Sequence, residues 1–402
     1  MPLDLGRTVL QIDEATQSIG RDIDDRQTRL TKLLEGAQGV SNDEAITKSQ
    51  NSLDRPYMAA QITEELIGSK PPNQYSGNWS TLSVDGSHID VDRHLPVPCY
   101  LINMGGCILS YGDTPYADFF NEPTLATTRE DLYLSDPGNA NNEELVSGPL
   151  LGILRSVQEI EYLVEKIQDC PENQPLLALV DGTLVLWGLS GQGYRPFVRN
   201  TILAERFFPA LEKLRRLAQT RTITVAAYVS LPRTTEVTNA IRCSLCPFES
   251  SLCQESCSHH RSRREPCDQA NGFMDRELFQ EILEPYSRSP VYKTNPTAAQ
   301  EYYGEHQVYF YYLNSGNEIA RVEIPQWVAS NNDLLELGHS LIVEQCKKGQ
   351  GYPVAISESH EQAVINGSDR QVFHNMVLEA LERQGLSSYT SEKERSKSRP
   401  WL

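Results

Sequence analysis

Two short stretches of the sequence end an apolar run with aspartate, glycine and a hydroxyl residue: Val84-Asp85-Gly86-Ser87 and Val180-Asp181-Gly182-Thr183. Taken singly, each reads as a turn, because Asp-Gly after a strand is a common turn signal. Taken as a pair, they point to a cation. Carboxylates that converge from neighbouring strands repel each other, and one of them takes up a proton unless a positive ion lies between them. The helical pattern ahead of Asp181 adds two more acids. Glu161 falls between Val157 and Val164 on the apolar stripe, whereas Glu159 lies off it and can pair with Arg155, so Glu161 is the expected ligand and a solvent-reaching glutamate is the alternative. His360 follows Tyr352–Ile356 through Ser357-Glu358-Ser359, where an expected strand turns into a helix. A lone histidine is more often structural than functional, and the spacing to Ala363, Ile365 and Arg370 is what singles this one out. A different chemistry is offered by Cys243, Cys246, Cys253, Cys257 and Cys267, which crowd soft ligands together with His259 and His260. Four of these thiolates could hold zinc or an iron–sulfur cluster, with unmodified thiols as the alternative.

The elements that must position these residues alternate between the two periods. Leu82–Ser110 contains short β-rich runs divided by Gly and Pro, read as consecutive antiparallel strands. From Pro149 to Gln168 the residues Ile153, Val157, Ile160, Val164 and Ile167 recur in steps of three and four, giving an amphipathic helix. Leu176–Val180 is a continuous apolar run of the kind found in a strand covered on both faces. Phe197–Leu217 reads as a helix with a basic end at Lys213, Arg215 and Arg216, and Thr222–Val229 as a further strand. Val308–Leu313 and Glu318–Ile324 form an expected hairpin, followed by a helix over Leu334–Cys346 and a helical pattern from His360 to Glu382 broken at Asn366-Gly367. This alternation implies a mixed α/β sheet flanked by helices. Near the N-terminus, Leu30, Leu33 and Leu34 and then Met58, Ile62 and Leu66 suggest short helices around a polar linker, Gly36–Asp54.

The 402 residues carry a formal charge of −18, which argues against a protein held to nucleic acid by general attraction, though not against a local basic groove. Leu176–Leu189 is too short and carries Asp181, so no membrane-spanning helix is expected. No secretory signal is read at the N-terminus, so a cytoplasmic location is expected.

In order, Val84-Asp85-Gly86-Ser87, the glutamate of the following helix, Leu179-Val180-Asp181-Gly182-Thr183-Leu184, Ala227-Tyr228-Val229, and Tyr352-Pro353 leading to His360-Glu361-Gln362-Ala363 resemble the NurA nucleases over roughly residues 80 to 382. The resemblance implies an RNase H-like core, Mn-dependent 5′ to 3′ exonuclease and single-strand endonuclease activity on DNA, a homodimer, and work beside a HerA-type hexameric ATPase in resecting double-strand breaks. Carried onto this chain, the family's site falls on Asp85, Glu161 (Glu159 if the helical register is shifted), Asp181, Tyr228 and His360. The residue types suit that chemistry. Phosphodiester hydrolysis needs an activated water and neutralised oxygens, which divalent ions supply. Carboxylates with an imidazole favour Mn2+ over Mg2+.

The expected organisation is an N-terminal helical and linker region (1–75), a first part of the nuclease core (76–242) with an acidic, loop-rich insertion (112–149), a Cys-rich insertion (243–270), a second core part (271–386) and a flexible tail (387–402). Competing functions are a non-catalytic adaptor that guides DNA for a translocase and a metallohydrolase of another phosphoester. An adaptor needs none of the four ligand-type residues.

Overall fold

The computed structural model describes residues 4–50, 57–91, 95, 97–189, 193–247, 266–295 and 302–385. In chain order its elements are α1 (Leu5–Gln38), α2 (Asn42–Gln50), β1 (Gln61–Ile62), β2 (Trp79–Ile89), β3 (Tyr100–Tyr111), β4 (Tyr116–Ala126), α3 (Arg129–Leu132), β5 (Tyr133–Asp136), β6 (Asn139–Leu145), α4 (Pro149–Lys166), β7 (Leu176–Asp181), α5 (Pro196–Ile202), α6 (Phe208–Thr220), β8 (Ile223–Val229) and α7 (Glu236–Leu245). They continue with α8 (Asp275–Ile282), β9 (Tyr292–Lys293), β10 (Val308–Asn314), β11 (Ile319–Pro325), α9 (Gln326–Ala329), α10 (Asn332–Lys348), α11 (Val354–Ala363) and α12 (Gly367–Arg383). The chain divides into two compact units, one of Met1–Pro71, Ser230–Asn295 and Tyr309–Arg321, the other of Pro72–Val229, Pro296–Val308 and Val322–Leu402.

The second unit is built on strands in the order β8-β7-β2-β3-β4. β2 and β3 pair antiparallel from Trp79↔Tyr111 to Ile89↔Leu101, and β4 adds antiparallel to β3. On its other edge β2 pairs parallel with β7, which pairs parallel with β8. Three antiparallel strands extended by two parallel ones make the mixed, RNase H-like sheet. β7 is central, which is why its apolar run is continuous: Leu176, Leu177, Ala178, Leu179 and Val180 are all buried. α4 covers one face through Leu150, Leu154, Val157, Ile160 and Leu163. On the other face the Ser83 and Ser359 hydroxyls meet at 3.0 Å, and the Thr224 hydroxyl donates to the Leu334 carbonyl at 3.0 Å, seating α11 and α10.

In the first unit the end of α1, with Leu30, Leu33 and Ala37, packs with Val237, Ala240 and Ile241 of α7 and with Phe273, Leu278 and Phe279. β1, β9 and β10 pair antiparallel. A buried ion pair, Arg321–Glu236 at 2.8 Å, lies in this unit.

Several expectations are corrected. The stretch 112–149 is not loop-rich: β4, α3 and the β5–β6 hairpin occupy it, and its polarity reflects an exposed edge strand rather than missing structure. Tyr352–Ile356 is not a strand, because α11 begins after Pro353 and buries Ala355, Ile356, Ser359 and Ala363 at helical spacing. Met58–Leu66 is not helical and contributes β1, while α2 occupies the expected linker and α1 runs far longer than its Leu30–Leu34 pattern suggests. Phe197–Leu217 is helical but passes through a π-helical turn at Leu203–Phe207, just ahead of Pro209, whose missing N–H breaks the regular ladder. The division into units also differs from the sequence boundaries, since Ser230–Asn295 and Tyr309–Arg321 join the N-terminal residues through the shared apolar core just described. The expected tail, 387–402, lies outside the described residues.

Candidate active site

Parallel pairing of Val84 with Val180 brings Asp85 and Asp181 side by side where the β2–β7 ladder stops, Asp85 midway along β2 and Asp181 at the end of β7, and strand alternation points both carboxylates to the same face. The turn after Asp181 requires glycine, because Gly182 has φ +96°. Buried Glu323 braces that turn by accepting hydrogen bonds from the Thr183 hydroxyl at 2.7 Å and the Leu184 amide at 2.9 Å. Thr183 is therefore spent on the scaffold. Asp-Gly here serves both readings, forming a turn and holding an acid at the strand end.

α11 delivers His360. The helix end lies directly on β3, where a Cβ at Gly105 would overlap backbone atoms of Gln362 and Ala363. The Ser87 hydroxyl and the Asn103 amide donate to the Ala363 carbonyl at 2.6 and 2.8 Å and lock that position. One turn back, His360 Nδ1 lies 2.9 Å from Asp85 Oδ2. The ring is more than half exposed, at 58%. At the start of α11, the Tyr352 hydroxyl donates to Asp181 Oδ1 at 3.4 Å.

The glutamate of α4 that lines the same cleft as Asp85 and Asp181 is Glu159, not Glu161. Its side chain is 6% exposed and sits over Gly86, where a Cβ would come within 2.9 Å of Glu159 Oε1 and of Arg155 Cγ. Burial first, and then Asp85 and Asp181, push its carboxyl up to about 8, although Arg155 opposes the rise. Arg155 Nε approaches Glu159 Oε1 to 3.1 Å, but the angles are poor and neither atom makes a hydrogen bond. Asp181 is likewise raised, by desolvation first and then by Asp85. Glu161 points elsewhere, where Arg206 grips it with two hydrogen bonds, Nε to Oε1 at 2.9 Å. Residues two apart on a helix differ by about 200° and sit on opposite edges of a broad apolar arc. The sequence pattern located the arc but not which edge faces the strand ends.

Tyr228 is also not where expected. It is opposite Asp181 on β8 but fully buried, packed edge-on against Tyr352 with centroids 5.4 Å apart. The Tyr352 hydroxyl is the one seen reaching Asp181. A cleft of about 610 Å³ is lined by Asp85, Glu159, Asp181, His360, Arg155 and Trp187, among others. Among the described residues no three His, Cys, Asp or Glu side chains already meet around one point. The donors nevertheless suit a hard divalent ion: hard carboxylate oxygens with one imidazole, two of the acids raised toward protonation, and a buried Glu159 oxygen without a hydrogen bond.

Elsewhere, Cys243, Cys246 and Cys267 are buried, while Cys253 and Cys257 lie outside the described residues, as do His259 and His260. The expected basic end of α6 is partly neutralised, because Arg215 and Arg216 both pair with Glu212, at 2.7 and 3.0 Å. No helix among the described residues is long and apolar enough to cross a membrane.

Comparison with known proteins adds the following. The NurA domain family model matches residues 80–365. A solved structure described as "Crystal structure of NurA" aligns at 13% identity and a TM-score of 0.40, covering 92% of this chain and 98% of that one. No curated protein matches.

Proposed function

Because the chain belongs to the NurA family, whose members are metal-dependent nucleases associated with DNA end processing, we propose that it hydrolyses DNA at the cleft formed by Asp85, Glu159, Asp181 and His360. The observation that carries this reading is that three acids line one cleft, two of them raised toward protonation by burial and by their negative neighbours. Asp85 and Asp181 would hold the divalent ion, with Glu159 as a further ligand. His360, held through Nδ1 by Asp85, would offer Nε2 as neutral imidazole. When bound, such ions supply an activated water and neutralise charge on the attacking and leaving oxygens. Mn2+ suits this mixed donor set better than Mg2+. The chain's own groups do the rest. Tyr352 orients Asp181, and the Asp85–His360 contact fixes the imidazole's tautomer and direction.

The finer activity we propose is 5′ to 3′ exonuclease and single-strand endonuclease action in double-strand break resection, by a homodimer delivered to its substrate by a HerA-type hexameric ATPase. A net charge of −18 supports the need for delivery. End-labelled DNA incubated with Mn2+ tests the reading. Wild type cuts, and Asp85→Asn and Asp181→Asn, which keep side-chain size but lose a ligand charge, fall by about 10³-fold or more while staying folded. Full activity in either folded variant removes the cleft from the chemistry.

A further inference from the structure

Beside the acid cluster, the second unit carries cationic and imidazole groups that the proposed hydrolysis leaves unused. Gly86 and His88 are alternate residues of β2 and project to one sheet face about 7 Å apart. The Arg155 stem crosses Gly86, so the guanidinium lies at the cleft wall, with Glu159 on one side. His88 lies within its electrostatic reach: burial first, and then Arg155, lower the imidazole pKa, Arg370 lowers it further, and Asp90 opposes them. His88 Nδ1 is buried without a hydrogen bond, and so is Arg155 Nε. Beyond His88, exposed Arg370 lines a second cavity of about 460 Å³ with Ile89, Asp90 and His374, whose Nε2 is also buried without a hydrogen bond. Leading away from the acids, the order is Arg155, His88, Arg370.

We infer that Arg155, His88 and Arg370 form a phosphate-binding track for the DNA strand that enters the acid cluster, an inference that rests on reading that cluster as a nuclease site. A guanidinium offers planar paired donors that match phosphate oxygens, and Arg155 is not committed to Glu159 by a well-formed hydrogen bond. The α6 cluster is a poorer candidate, because Arg215 and Arg216 are both engaged with Glu212. A chain of charge −18 that handles polyphosphate needs local cations where the strand meets the site, and this row supplies them.

The test is fluorescence anisotropy of labelled oligothymidine with the full chain in EDTA, so that no metal-dependent step intervenes, over a series of salt concentrations. R155Q and R370Q each weaken binding, R370Q by about three- to tenfold, and each lowers the salt slope by about 0.7, as expected for one lost single-strand phosphate contact. R155K retains more affinity than R155Q, and R216Q on α6 matches wild type. Arg370 is on an exposed helix face, so R370Q decides the matter if R155Q misfolds. Unchanged affinity and slope in R370Q, or weakening in R216Q alone, overturns the track while leaving the nuclease reading intact. Wild type that binds through Arg155 and Arg370 yet cuts no DNA with Mn2+ sinks the nuclease reading and leaves the contacts standing.

Discussion

Glu159→Gln should stabilise the protein and abolish its activity, and both effects follow from one buried carboxyl. Its midpoint moves from an ordinary 4.5 to about 8, because burial and the neighbouring Asp85 and Asp181 disfavour the charge. Between those two pH values the unfolded chain has released this proton and the folded chain has kept it. Folding therefore takes up a proton, and stability falls as pH rises through the window. At 1.36 kcal/mol per pH unit the full cost is about 5 kcal/mol, and relaxation of the surroundings around the charged form brings the net to about 2–3 kcal/mol. Glutamine mimics the protonated form and removes that cost. In EDTA at pH 8, E159Q should melt about 4–10 °C above wild type, whereas at pH 5 the two should coincide. Mn2+ should close the gap by stabilising the ionised wild type, and activity should fall by about 10²-fold or more in the variant. Melting curves across pH, with and without Mn2+, are the assay. A wild-type advantage at pH 8 in EDTA, or a gap that persists unchanged at pH 5, would refute the assignment of Glu159 as a destabilised acid.

Glu161→Gln removes only a half-exposed pair with Arg206, so it should cost under about 1 kcal/mol and leave end-labelled DNA cut at close to the wild-type rate; a loss matching that of E159Q would return the ligand role to Glu161. Gly86→Ala places a methyl group 2.9 Å from Arg155 Cγ, Glu159 Oε1 and Met104 Cε, and should cost about 1–3 kcal/mol by denaturant melting, with reduced cleavage, since α4 must retreat from β2. Processive resection of long duplex ends should require a HerA-type ATPase and ATP, while short single strands are cut by this chain alone; equal rates on long duplex without the partner at physiological salt would contradict the delivery argument.

The strands that carry the site were readable because burial on both faces leaves an unbroken apolar run in β7, and because Asp-Gly at its end signals a turn whatever else it does. The antiparallel β2–β3 pair, the β10–β11 hairpin and the break before α12 were legible for similar local reasons. What failed depended on docking. The choice between Glu159 and Glu161 turns on which edge of α4 meets β2, which a helical wheel does not contain. The burial of Tyr228 depends on Tyr352, more than a hundred residues later in the chain, lying over it. The β4 edge strand was missed because solvent exposure removes the apolar alternation that marks a strand. Arg155 was visible only as a partner for Glu159, since nothing in the sequence sets it against His88.

The order in which the cleft's parts leave the ribosome follows from the placement of α11 on β3. Asp85, Glu159 and Asp181 are made early, but Glu323, which braces the Asp181 turn, and His360, which meets Asp85, come much later in the chain. At about 5–20 residues per second, roughly 10–35 s of synthesis separate Asp181 from His360. Throughout that interval the nascent chain carries the acids without the imidazole. A chain cut short before α11 would keep the three acids of the cleft but lack both the helix seated on β3 and the imidazole held against Asp85.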